Sequence, residues 1–127
     1  NTFDNGNPDS EKGKSSVMIM TAINDYVIYN MSIPFSGNYK MTLNYKVSQT
    51  QRGEAQFYYI DPNGVETALG SVQNESTTGS EVMRTVDLGT INVALAGTLK
   101  IKMKLVGNGV SGTGKYIGAN YMVFTKQ

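Results

Sequence analysis

The strongest constraint in this chain is a period of two. Across 39–47, Tyr39, Met41, Leu43, Tyr45 and Val47 alternate with Lys40, Thr42, Asn44 and Lys46, and no glycine or proline interrupts the run. Extended backbone points successive side chains to opposite faces, so this order yields one oily face and one wet face, a sorting that a helix cannot produce. The same segregation recurs where Leu99, Ile101, Met103 and Leu105 alternate with Lys100, Lys102 and Lys104. Further runs rich in Tyr, Val, Ile, Thr or Phe fall at 16–20, 26–31, 54–60, 65–72, 82–88 and 116–125, making about eight strands. Asp61-Pro62-Asn63-Gly64 offers a residue preset for a turn and then two that tolerate positive φ, which predicts a hairpin between its flanking strands. Turn-like segments also lie at 34–38, 49–53, 74–80 and 107–114, and no helical period survives anywhere. Each sheet built from such strands has an apolar face to bury, so the expected fold is all-β, a two-sheet β-sandwich.

A length of 127 residues suits a single core. The stretch 1–14 holds Gly6, Pro8 and Gly13 among five charged side chains without a hydrophobic period, and reads as a polar tail or linker before a module at 15–127. No run is long and apolar enough for a membrane span. Seven Met and eight Tyr without Trp suggest a core filled partly by thioethers, with phenols at its margin where the hydroxyl stays wet. Absence of Cys leaves the redox compartment open, and the triplets Asn30-Met31-Ser32 and Asn74-Glu75-Ser76 would matter as glycosylation acceptors only on a eukaryotic secretory route.

Composition excludes more than it assigns. Eleven Lys plus Arg against ten Asp plus Glu give a net charge of +1, far from the basic surface that nucleic-acid binding needs. With no His and no Cys, the commonest general base and every imidazole or thiolate metal ligand are missing. Gly107-Asn108-Gly109-Val110-Ser111-Gly112 spells a dinucleotide fingerprint, and 109–115 has a phosphate-loop look. Both motifs need a helix to follow, and 116–125 reads as a strand. No cofactor is expected. The scattered carboxylates Glu54, Glu66, Glu75, Glu81 and Asp87 suggest no acid–base pair, and no Asp-rich calcium spacing is present. Lys100, Lys102 and Lys104 read either as an ordinary solvated strand face or an edge strand protected against stray pairing, or as a face attracting anionic groups such as uronic acids.

From Asn24 onward the order of features resembles the family 6 type of carbohydrate-binding module. The marks are Asp25-Tyr26-Val27-Ile28-Tyr29, Ile33-Pro34-Phe35-Ser36-Gly37-Asn38-Tyr39, Thr78-Gly79, Val86-Asp87-Leu88, Leu95-Ala96-Gly97-Thr98-Leu99-Lys100-Ile101 and Asn120-Tyr121-Met122-Val123-Phe124. The resemblance implies a galactose-binding-like jelly-roll sandwich and a non-catalytic module. It also implies residence in a larger secreted or cell-surface protein, with a polysaccharide or glycan held at a loop rim or on a sheet face. At the positions where it places rim contacts, this chain carries Met20, 80–82 and Gly118, and Asn120 stands where an acidic calcium ligand is expected.

The remaining saccharide-binding candidates are Tyr116 with Asn108 on the glycine-rich loop, and Arg52 with Gln51 on the loop after the long strand. Each has a plain reading too: Tyr116 as an aromatic that starts a strand, Gln51 and Arg52 as solvent-facing turn residues. The alternative function is a structural or protein-interaction sandwich without sugar binding; a small enzyme on the same scaffold is the third reading.

Overall fold

A computed structural model of the chain describes residues 2–4, 16–49 and 51–127. Ten strands follow one another: β1 (Thr2–Asp4), β2 (Ser16–Ile19), β3 (Tyr26–Ile33), β4 (Gly37–Val47), β5 (Glu54–Ile60), β6 (Glu66–Asn74), β7 (Val82–Val93), β8 (Gly97–Gly107), β9 (Tyr116–Ala119) and β10 (Tyr121–Lys126). No helix occurs among the described residues. One antiparallel sheet has the order β1-β10-β4-β7, a second has the order β3-β8-β5-β6, and β2 and β9 form a two-stranded ribbon. Of the stretch read as a polar tail, only Thr2–Asp4 is among the described residues, and it pairs with β10.

The oily alternation becomes the core. Met41, Leu43 and Tyr45 of β4 and Met122 and Phe124 of β10 come from one sheet; Phe57 of β5 and Ile101, Met103 and Leu105 of β8 come from the other. All nine side chains are essentially without solvent contact. Removing each from water is worth about 1.5–3 kcal/mol, which makes the facing of the two sheets the main source of stability. The hairpin at 61–64 joins β5 to β6 as expected: Asp61 Oδ1 accepts hydrogen bonds from the amides of Asn63 and Val65, and Gly64 takes φ +83°.

Three sequence expectations are modified. The span 116–125 is two strands in different sheets, because the buried Asn120 leaves the β9 ladder. Its amide donates to the Asn44 carbonyl at 2.8 Å, and its side-chain Nδ2 donates to Asn44 Oδ1 at 2.9 Å. The lysine-bearing strand β8 is central, paired with β3 on one side and β5 on the other, so its lysines guard no edge. The phenols are also distributed differently. Tyr45 is fully buried, and its hydroxyl donates to Gln73 Oε1 at 2.9 Å and accepts from Arg84 at 3.2 Å. Burial raises its pKa above the ordinary tyrosine value, partly offset by Arg84.

The asparagine pair that turns the chain from one sheet to the other gives a direct test. Replacing Asn120 by Ala strips Asn44 Oδ1 of its buried donor, with an expected loss of about 1–3 kcal/mol in the urea unfolding free energy. An unchanged urea midpoint would show that the switch does not depend on this contact.

Candidate functional site

Two surfaces have the ingredients of a binding site: the loop end of the sandwich that carries the four sequence candidates, and the outward face of the β3-β8-β5-β6 sheet. At the loop end, residues 48–49 and 51–53 meet 74–79 and 107–116 through backbone hydrogen bonds. The Gln51 carbonyl accepts from the amides of Lys115 and Tyr116, both at 2.9 Å, and the Gly53 amide donates to the Tyr116 carbonyl at 2.8 Å. Asn108 laces its own loop: Nδ2 donates to the Gly114 carbonyl at 2.9 Å, while the Asn108 carbonyl accepts from the Gly114 amide at 2.8 Å.

The glycines of this loop answer to the same packing. A Cβ on Gly114 would stand 1.9 Å from the Arg52 carbonyl oxygen, and one on Gly109 2.4 Å from it, distances that only a residue without a side chain permits. The segment then runs into β9, and the helix that a dinucleotide or phosphate loop would need is not there.

The structure therefore gathers all four candidates at one end and gives them different surroundings. Gln51 is exposed, Tyr116 and Asn108 are half-buried, and Arg52 is buried, contrary to its reading as a solvent-facing turn residue. The reason is Glu75, which sequence inspection treated as one of several scattered acids. Its carboxylate has no solvent contact, and its Oε1 accepts from Arg52 Nη1 at 3.1 Å and from the Gly118 amide at 2.8 Å. Gly118 and Met20, two of the positions where the family resemblance places rim contacts, are buried as well.

Burial pushes the Glu75 carboxyl up to about 8, a desolvation effect that the Arg52 charge and the Gly118 amide oppose without cancelling. Oε2 of Glu75 has no hydrogen-bond partner among the described residues, an arrangement less costly for a neutral carboxyl than for a carboxylate.

The outward sheet face is different in kind. Its residues are set by register: Tyr26 stands opposite Lys104, Ile28 opposite Lys102 and Asn30 opposite Lys100 across β3 and β8, and Gln56, Tyr58 and Ile60 stand opposite the same lysines from β5. Ala68 and Glu66 continue the face onto β6. Lys102 is its hub. Its ammonium bonds both oxygens of Glu66, at 3.0 and 3.2 Å, lies 4.2 Å from the centre of the Tyr26 ring and 5.7 Å from that of Tyr58. Lys104 lies 5.4 Å from the Tyr58 ring on the same surface. Such cation–π contacts hold the rings in place without hiding them: Tyr26 is 55% exposed.

The lysines of this face stand out in the sequence, and its tyrosines do not. The available signal was Phe57-Tyr58-Tyr59, in which the middle residue must face away from its neighbours, toward the lysines.

The described acids are engaged singly: Glu54 with the Gly109 amide, Glu66 with Lys102, Glu81 with Lys46, Asp87 with Lys40 and the Gly89 amide, and Asp25 with the amides of Thr21 and Ala22. Among the described residues no group of three or more carboxylates could hold a metal ion.

Glu75 supplies a prediction about pH. Because its pKa is raised on folding, from about 4.5 to about 8, the folded chain keeps a proton that the unfolded chain releases across that window. Stability therefore falls as pH rises from about 4.5 to 8 and levels off above. The absence of His leaves little else to titrate there. Melting temperatures measured between pH 5 and 9 should decline for the native chain and stay flatter for Glu75→Gln, which keeps an oxygen for Arg52 and Gly118. Parallel curves for the two would contradict the assignment.

No protein-family model and no curated protein matches the chain, so the family 6 resemblance has no family match behind it. Among solved structures, the chain is similar to a xanthan lyase from Paenibacillus, with a TM-score of 0.75 and 20% identity, over 99% of this chain and 11% of that one. A protein from Sulfurospirillum deleyianum aligns with a TM-score of 0.43 and 11% identity over 89% of this chain and 97% of its own. The chain thus spans about a tenth of the lyase's length and shares the β-sandwich fold of that part of a polysaccharide-acting protein.

Proposed function

We propose that this chain is a non-catalytic carbohydrate-binding module of a larger secreted or cell-surface protein, and that the saccharide lies on the outward face of the β3-β8-β5-β6 sheet. The observation that carries the reading is the pair Tyr26 and Tyr58, presented on rigid strands and held by Lys102. Saccharide recognition needs a flat ring against the apolar face of the sugar, together with polar groups that fix its orientation. Here Gln56, Lys104 and Lys100 supply the polar groups. Support for a module within a larger protein comes from the fold shared with 11% of a xanthan lyase. A polysaccharide is met outside the cell, which makes secretion part of the proposal. In this reading the body of the module is 15–127 and 1–14 is its linker, of which Thr2–Asp4 is laid against β10.

The loop-end candidates enter this reading unequally. Gln51 and Tyr116 have surface to offer a ligand, and they are the rim alternative to the sheet face. Arg52 and Asn108 act through the loop shapes they fix.

The second reading, a protein-interaction sandwich, is favoured by one observation. At the end opposite the candidate loops, Phe35 is 64% exposed and Leu95 67% exposed, and Phe35, Pro34, Ala96 and Lys126 line an open depression.

Affinity electrophoresis against a panel of neutral and acidic polysaccharides separates the readings. Retardation of the native chain by at least one polymer, about tenfold weaker for Tyr58→Ala and for Tyr26→Ala, is the expected result. Loss through Tyr116→Ala and Gln51→Ala, with the tyrosine variants unaffected, would move the site to the rim. Failure of folded protein to bind any polymer would leave the interaction module.

A further inference from the structure

Resting on the reading just given, we infer that the β3-β8-β5-β6 face is selective for acidic glycans: Lys100 and Lys104 form two cationic stations for the carboxylates or other anionic substituents of a polysaccharide lying along β8. The charge balance of the face is the first argument. Lys100, Lys102 and Lys104 all project outward, because Leu99, Ile101, Met103 and Leu105 take the inward positions and are buried. The outward positions of β5 and β6 carry two carboxylates, and both are engaged: Glu66 on Lys102, and Glu54, at the far end of β5, on the Gly109 amide. Lys100 and Lys104 have no ion pair among the described residues. A central strand with paired neighbours on both sides has no edge for lysines to protect, so edge protection does not account for them, and an ordinary solvated face is the alternative that the test below decides.

Spacing is the second argument. Lys100 and Lys104 are four residues apart on one strand, about 13 Å at the usual rise, with the Tyr26–Lys102–Tyr58 cluster between and beside them. An apolar and aromatic strip flanked by separated cations suits a polymer whose charges recur at intervals of more than one sugar, and it suits a neutral chain less well.

The third argument lies at the hairpin end of the strip. Lys100, Thr98, Leu95, Ala96 and Pro62 help to line a cavity of about 360 Å³, large enough for a side branch or an acidic substituent next to the Lys100 ammonium. Asp61 also lines it, but one of its oxygens is committed to the amides of Asn63 and Val65.

The test uses a matched pair of polymers, polygalacturonate and its fully methyl-esterified form, in affinity electrophoresis at low and at raised salt. The native chain is expected to be retarded more strongly by the acidic polymer, and the difference should shrink as salt is added. Lys100→Gln with Lys104→Gln should weaken retention by polygalacturonate about tenfold and that by the ester far less, because glutamine keeps a hydrogen-bonding group at each station while removing its charge. Lys100→Arg with Lys104→Arg should restore it. Equal retention of the two polymers by the native chain, or a preference that survives the double Gln variant, would overturn acidic selectivity while leaving glycan binding intact. Retention of neither polymer by folded native protein would count against both.

Discussion

The structure depends on one constraint: two extended sheets must each give up an oily face, and only each other's face is available to receive it. Leu43, Met41 and Phe124 from one sheet meet Phe57, Ile101 and Met103 from the other in a core closed to water. Because alternation is strict, committing the inner face also commits the outer one. The same arithmetic that buries Ile101 and Met103 puts Lys100, Lys102 and Lys104 on the opposite side, and the same register that buries Phe57 and Tyr59 turns Tyr58 outward beside them. The proposed binding surface is thus a by-product of core formation, held as rigidly as the core is, without a loop to order when a ligand arrives.

The loop end is organised by a different force. There the chain buries an ionisable pair, Arg52 and Glu75, beneath the glycine-rich segment, and surrounds it with backbone that only glycine allows so close. Buried pairs of this kind are a poor source of net stability but a strict condition on geometry, since either partner alone would be stranded. Their presence explains why a loop that looks functional in sequence is so heavily occupied with holding 51–53, 74–79 and 107–116 together.

How much of this was legible follows from the range of the interactions involved. Alternation over 39–47 and 99–105 and the Asp61–Gly64 turn are local signals, and they led to the sandwich and to the hairpin that the structure contains. The strand break at Asn120 was hidden, because it depends on Asn44, distant in sequence and adjacent only after folding. For the same reason Arg52 read as a surface residue: nothing near it in sequence announces Glu75. Sequence does not say who pairs with whom, so the lysine strand could equally be an edge or an inner strand; its place between β3 and β5 removes the edge and brings in Tyr26 and Tyr58. The resemblance to family 6 modules pointed to the sandwich, and the likeness to part of a xanthan lyase agrees with it at the level of fold.

The central claim is that ligand meets the outward β3-β8-β5-β6 face, and backbone amide chemical shifts test it residue by residue. In a titration of isotope-labelled protein with an acidic oligosaccharide, the account predicts saturable shifts gathered at Tyr26, Tyr58, Lys100 and Lys104, with the 107–116 segment unmoved. Shifts confined to Gln51, Asn108 and Tyr116, or none at any saccharide concentration, would contradict it.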